Sequence, residues 1–169
     1  MLHGQKIIFV SIVDNYNQTI DNMQIRVWHY QRLISRLLKT ENCLIGRKTY
    51  DLTQWKGPKT WVLTRDIQWH RSNVGTIHDI DDLHLHTEGD IYVLGGNSLH
   101  EQLSDYIDEV HLYVLNNTKG STPWIEIEVR DWKPIQYESK MIWSYIHLEK
   151  CKNHDPHNLN EDILPLNNK

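Results

Sequence analysis

Cysteine is scarce, basic residues hold no majority and no apolar stretch is long, and each shortage closes off a class of protein. With 18 Lys and Arg against 22 Asp and Glu the formal charge is -4, which argues against a general nucleic-acid surface and confines any anion site to a local patch. No apolar run approaches the roughly 18 residues of a membrane span. The first residues also lack the basic-then-apolar plan of a secretion signal. A soluble, cytoplasmic protein is expected, with neither membrane nor nucleic acid among its partners. The two cysteines, Cys43 and Cys151, cannot build a disulfide framework, and Cys43 sits in an apolar strand where a reduced thiol packs as a small hydrophobe. The 11 histidines include no pair at the H-E-x-x-H spacing and none beside paired cysteines. His84 and His86 would share a face only in a strand. No metal site is expected.

What is present starts with one joint. Ile91-Tyr92-Val93-Leu94 is an apolar, partly β-branched run that stops at Gly95-Gly96, and an amphipathic pattern begins at once with Asn97-Ser98-Leu99-His100. This is a buried strand feeding a helix. Paired glycines let backbone approach a ligand closely, and the N–H groups at a helix start attract anions. Cys43-Leu44-Ile45-Gly46-Arg47-Lys48-Thr49-Tyr50 repeats the design with two cations and a hydroxyl added. Two phosphate-ready joints in one small domain point to a dinucleotide.

Around these joints the chain reads as one domain, 1–150, followed by a polar tail, 151–169. Lys6 to Val13 is nearly continuous in apolar residues, as in a central strand covered on both faces. Asp14 to Thr19 reads as polar loop. From Gln24 to Lys39, Val27, Tyr30, Ile34, Leu37 and Leu38 recur at helical spacing, with Trp28 and Leu33 widening the face. A short helix over Arg47–Leu52, a turn at Lys56-Gly57-Pro58, strands at Thr60–Thr64 and Val74–Ile77, and a short helix over Ile80–His86 capped by Asp79 follow. The helix after Gly96 runs to about Tyr106. Thereafter strands stand alone, at Glu109–Leu115, Trp132–Tyr137 and Met141–Glu149. The pattern is α/β: a parallel portion of strand-helix-strand units extended by antiparallel strands. In such sheets ligands collect at the carboxyl ends of the parallel strands, where both joints lie. Low hydrophobicity favours a mobile tail, although Ile163-Leu164-Pro165-Leu166 offers a docking segment.

The order of elements and the motifs from Lys6 to Lys150 resemble dihydrofolate reductase. The resemblance rests on Gly46-Arg47-Lys48-Thr49-Tyr50, Val62-Leu63-Thr64-Arg65, and Val93-Leu94-Gly95-Gly96 with its Gln102 helix. Gly120-Ser121-Thr122 and Tyr145-Ile146-His147-Leu148-Glu149-Lys150 match more loosely. It implies a mixed, mostly parallel eight-stranded sheet flanked by helices, binding NADPH and passing hydride to a pterin in tetrahydrofolate synthesis. It further implies that Gly46, Arg47, Lys48 and Thr49 hold the cofactor's phosphates and that Leu63, Thr64 and Arg65 border its 2′-phosphate. Gly95, Gly96, Asn97, Ser98 and Leu99 would form the pyrophosphate turn, and the Val10 backbone would fix the nicotinamide amide. Guanidinium groups at Arg47 and Arg65 suit bidentate phosphate contacts and favour NADPH over NADH.

The substrate side departs from the family pattern. The acidic residue that members use to hold and protonate the pterin falls at Tyr30 in an ungapped alignment. A gapped one that places Trp28 on the family tryptophan deletes the position, and neither recovers a carboxylate. The family's Pro-Trp is here Gln24-Ile25, the threonine partnering the acid corresponds to Tyr113, and the arginine gripping folate's glutamate is replaced at Pro58, with Lys59 the nearest cation. Tyr30 and Tyr113 facing one another, or His100, whose pKa suits proton delivery, are the candidate replacements. Ile8, Phe9, Tyr30, Ile34 and Leu94 would wall the acceptor. The expectation is an NADPH-dependent reduction of 7,8-dihydrofolate with an altered proton-delivery site and, with the acid missing, resistance to antifolates. Reduction of a different pterin or heterocycle, and a non-catalytic nucleotide- and partner-binding module, stay open. A monomer is expected, with a tail-mediated dimer as the alternative.

Overall fold

The computed structural model describes residues 1–20, 42–53, 55 and 59–151. The helix expected over 24–39, with Tyr30 and Ile34 on it, the turn at 56–58 and the tail from 152 onward lie outside the described residues. Among the described residues ten strands are present: β1 (Ile7–Asp14), β2 (Gln18–Thr19), β3 (Asn42–Gly46), β4 (Thr60–Leu63), β5 (Gly75–Ile77), β6 (Ile91–Val93), β7 (Ile107–Leu115), β8 (Thr122–Pro123), β9 (Trp132–Ser139) and β10 (Trp143–Lys150). The helices are α1 (Arg47–Thr53), α2 (Leu83–His86) and α3 (Asn97–Leu103).

Eight strands form one path in the order β5-β4-β3-β6-β1-β7-β10-β9. Every pairing from β5 to β7 is parallel, and β10 and β9 extend the sheet antiparallel. The mixed, mostly parallel sheet expected from the sequence is therefore the fold. β1 is buried at all eight positions because β6 and β7 flank it and both faces are covered, which is why Lys6 to Val13 reads as a continuous apolar run. The strand period of two sends its side chains into separate cores. Val10 and Ile12 join Cys43, Ile45, Val62, Leu94 and Tyr113 on one face. Ile7, Phe9 and Val13 join Leu44, Val93, Leu99 and Leu103 on the other.

Three details differ from the sequence expectation. The polar segment after Asp14 contains β2, which pairs β1 and β8 off the main path, because two-residue strands are too short to show a period. The stretch Ile80–His86 splits into a 3₁₀ turn, Ile80–Asp82, and α2; the Asp79 carboxylate caps the turn by accepting from the Asp81 N–H at 3.0 Å. Likewise α3 stops at Leu103 and a 3₁₀ turn carries the chain to Tyr106.

The loop ends are tied by Asp14. Its buried carboxylate accepts from the backbone N–H groups of Tyr16 at 2.8 Å, Gln18 at 2.9 Å and Gly120 at 2.9 Å. A side chain at Gly120 would put its Cβ 2.4 Å from the Gln18 carbonyl oxygen, so glycine is what allows the two loops to meet. Burial pushes the Asp14 carboxyl up, but the backbone donors at Gln18, Gly120 and Tyr16 together hold it below its ordinary value.

Candidate active site

Parallel neighbours end on the same side of a sheet, so β4, β3 and β6 bring three joints together. Gly46 ends β3 and Arg47 begins α1; Leu63 ends β4; Leu94-Gly95-Gly96 leads from β6 into α3. The Gly46 N–H donates to the Gly95 carbonyl at 3.0 Å and the Leu94 N–H to the Leu44 carbonyl at 2.9 Å, which locks two joints side by side. Gly95 has φ +98 and the Gly95–Gly96 peptide is cis. An added Cβ at Gly96 would lie 3.0 Å from Thr49 Oγ1, and one at Gly46 3.9 Å from the Gly95 oxygen. A side chain would therefore press on Thr49 at Gly96, while at Gly46 it would meet only ordinary contact.

The result is a cleft of about 930 Å³ lined by Gly46 to Thr49, Leu63 to Arg65 and Gly96 to Leu99. Twelve of the residues that the sequence singled out for cofactor binding are thus placed; eleven of them border this one space, and Gly95 stands directly behind it. The remaining one, Val10, is fully buried in β1. Asp51, Asp66, His78, Asp79, Ile80 and Gln102 line the cleft as well and were not anticipated. Asp66 directly follows Arg65, yet a single acid in a loop carries no periodic signal.

The three cations differ. Arg47 is held by carboxylates, Nη1 donating to Asp66 Oδ2 at 2.8 Å and Nε to Asp51 Oδ2 at 3.4 Å. Lys48 and Arg65 make no ion pair among the described residues, although Asp51, Asp66 and Asp79 line the same cleft. Thr64 is fixed between them: its N–H donates to the Ile77 carbonyl at 3.0 Å, its Oγ1 accepts from the Asp66 N–H at 3.2 Å, and its carbonyl lies 2.8 Å from His78 Nδ1. The Asn97 amide donates to the Pro123 carbonyl at 3.0 Å, tying the start of α3 to β8.

On the substrate side the arrangement is mixed. Ile8 and Leu94 are buried, and Tyr113 packs in the same core as Leu94 and Val10, its ring centroid 5.3 Å from Tyr145 and 5.4 Å from Trp143. Phe9, expected beside Ile8, points to the opposite face, as adjacent residues of a strand must, and its ring stacks on His100 at 4.5 Å. His100 is 1% exposed. Its Nδ1 accepts from the Trp124 indole N–H at 2.8 Å, which leaves the proton on Nε2 to donate to the Val93 carbonyl at 3.1 Å. A ring so engaged fastens α3 to β6 and to the loop after β8. Lys59 stands at the amino ends of β3 and β4 with Asn42 and Trp61, on the far side from the three joints.

The family model of dihydrofolate reductase matches residues 8–144. Among solved structures, the dihydrofolate reductase from Enterococcus faecalis complexed with NADP(H) and RAB-propyl is similar, with a TM-score of 0.73 at 14% sequence identity, over 87% of this chain and 97% of that one. That likeness is one of fold. With a family match over residues 8–144, most of its length, this chain belongs to the dihydrofolate reductase family.

Proposed function

We propose that this chain is an NADPH-dependent reductase that converts 7,8-dihydrofolate to tetrahydrofolate, with a group other than a carboxylate delivering the proton. The observation that carries the reading is the convergence of Gly46–Thr49, Thr64–Arg65 and Gly96–Leu99 on one cleft containing two uncommitted cations. The donor set suits a dinucleotide phosphate. Lys48 and Arg65 supply charge, the first-turn N–H groups of α1 and α3 supply neutral donors, and the absence of a side chain at Gly96 admits backbone contact. The nicotinamide, when bound, supplies the hydride.

The chain's own residues then have four tasks. Arg65 and Thr64 recognise a 2′-phosphate, which separates NADPH from NADH. Gly96, Asn97, Ser98 and Leu99 orient the pyrophosphate. Ile8 and Leu94 exclude water from the acceptor, and orientation by such walls contributes much of the rate. Tyr113, with Tyr30, orders the proton donor through hydroxyl hydrogen bonds. His100 serves as a positioning residue, because both of its ring nitrogens are engaged within the protein.

A second reading, reduction of a different pterin or heterocycle, is favoured by the aromatic trio of Tyr113, Trp143 and Tyr145, which is bulkier than the threonine the family resemblance implies for position 113. Purified full-length protein mixed with NADPH and dihydrofolate should lose absorbance at the reduced nicotinamide band, faster than with NADH. Faster turnover of a pterin lacking the glutamate tail would select the second reading. NADPH binding with no consumption on any acceptor would refute both and leave a non-catalytic module. Methotrexate affinity equal to that of an acid-bearing relative would dispose of inherent antifolate resistance.

A further inference from the structure

At the other end of the sheet, three side chains outside the cleft converge. Antiparallel pairing sets His111 of β7 opposite His147 of β10, and Glu109, two residues before His111, shares their face. The imidazoles stack with centroids 4.2 Å apart and planes 15° apart. Glu109 Oε2 lies 3.2 Å from His147 Nε2 and 3.9 Å from His111 Nε2, and one ligand atom from each residue falls within 4.8 Å of the others. No local pattern announces this cluster, because 36 positions separate the two histidines and strand register brings them together.

The surroundings orient each group. Glu109 divides its oxygens: Oε1 accepts from Lys6 Nζ at 2.6 Å, while Oε2 faces the histidines. His111 is 4% exposed, and its Nδ1 lies 2.6 Å from the Tyr145 hydroxyl. That bond aims Nε2 at Glu109, and among the described residues this Nε2 makes no hydrogen bond. Burial, then the neighbouring His147, push the His111 imidazole down to about 4.

We propose that Glu109 Oε2, His111 Nε2 and His147 Nε2 form a binding site for one divalent first-row transition-metal ion of the zinc class. Ligand bonds of about 2.0–2.2 Å in a tetrahedron place donors about 3.3–3.6 Å apart. Two of the three donor separations, 3.2 and 3.9 Å, bracket that spacing; all three donors lie within 4.8 Å of one another, and the stacked imidazoles must turn toward one another for both Nε2 atoms to reach one ion. Two imidazoles and one carboxylate suit zinc and its neighbours, and do not suit magnesium or calcium, which prefer all-oxygen shells. Tyr145 and Lys6 are the outer partners that such ligands require, fixing the His111 ring and keeping the carboxylate monodentate. The ion would replace the Glu109–His147 hydrogen bond, so protons compete with it. The Lys6 ammonium opposes a second cation and weakens the site. The site shares no residue with the cleft, so its test is independent of the reductase reading.

Full-length protein stripped with chelator and dialysed is titrated with zinc chloride by calorimetry, and in parallel with cobalt(II) by visible absorption. One ion per chain is expected, with the intense cobalt bands of a four-coordinate site and no response to magnesium. His147→Gln should weaken zinc at least ~30-fold, since it removes a direct ligand where loss of an outer partner alone costs about 10–100-fold, whereas a His84→Gln, His86→Gln double variant should leave it unchanged. Absence of zinc heat, a cobalt spectrum of six-coordinate weak absorption, or binding that survives His147→Gln would overturn the proposal. Should His147→Gln fail to fold, Glu109→Gln and the wild-type cobalt spectrum decide in its place.

Discussion

The cleft at the carboxyl ends of β3, β4 and β6 is assembled from short contiguous motifs, whereas the region spanning β1, β7, β10 and their loops is assembled from residues far apart in the chain. Arg47, Lys48 and Thr49 are consecutive, as are Leu63, Thr64 and Arg65. In the other region Asp14 reaches Gly120 across 106 positions and Lys6 reaches Glu109 across 103. The contiguous motifs carry the charges of the cleft, while the long-range contacts satisfy polar groups that are buried, as at Asp14, or partly buried, as at Glu109. The lesson is a division of tasks. Local motifs line the cleft, while long-range polar contacts hold the sheet and its loops.

Asp14→Ala tests that division where the largest effect is expected. Three backbone N–H groups lose their acceptor, and each unsatisfied buried donor costs about 1–3 kcal/mol, less than additively. A stability loss of about 3–5 kcal/mol is expected, consistent with removing one partner of a buried charged contact. Denaturant unfolding measures it, and a loss below about 1 kcal/mol, the range of a surface change, would contradict the assignment. The same carboxylate predicts a pH dependence. Its folded pKa is depressed, so its contribution is complete above the ordinary carboxylate value of 3.8 and is lost as pH falls through the folded value. Unfolding midpoints followed from pH 6 downward should drop steeply below about pH 4, and Asp14→Asn should flatten that drop.

Arg65→Gln probes the other region. Its guanidinium lines the cleft without an ion pair among the described residues, so stability should move by less than about 0.5 kcal/mol. Affinity for NADPH should fall by about 10- to 100-fold, the equivalent of a charge-assisted contact of about 1.5–3 kcal/mol, and affinity for NADH should hardly change. Fluorescence titration with both cofactors checks this. A parallel loss for NADH would mean that Arg65 supports the loop and does not read the phosphate.

The same division decides what the sequence could reveal. Glycine after an apolar run, followed by cations and a helix pattern, announces a strand-to-helix joint within eight residues, and Gly46–Thr49 and Gly95–Leu99 were legible for that reason. β1 was legible because burial on both faces leaves an unbroken apolar run. Phe9 was assigned to the wrong wall because such a run hides which face each residue takes. His100 looked like a proton donor because its chemistry was visible and its partners, Trp124 and the Val93 carbonyl, were not. The Asp14 tie, the short strands β2 and β8, and the Glu109, His111 and His147 cluster depend on register between distant segments, for which one sequence carries no local signature.

Asp66→Asn gives the smallest effect and sharpens the comparison most, because it changes charge inside the cleft without touching a cofactor motif. Arg47 is half-exposed and pairs with Asp66 at 2.8 Å and Asp51 at 3.4 Å. An incoming phosphate must compete with both carboxylates for the guanidinium, and Asp66 also adds negative charge one residue from Arg65. Exposed pairs of this kind are worth about 0–1 kcal/mol, so the substitution should tighten NADPH by no more than about fivefold and leave the unfolding midpoint in place. The gain should shrink as salt is raised, since screening already weakens an exposed pair. Weaker NADPH binding in Asp66→Asn would show instead that the Asp66 carboxylate positions Arg47 for the phosphate, and the contiguous motif would then depend on an acid just outside it.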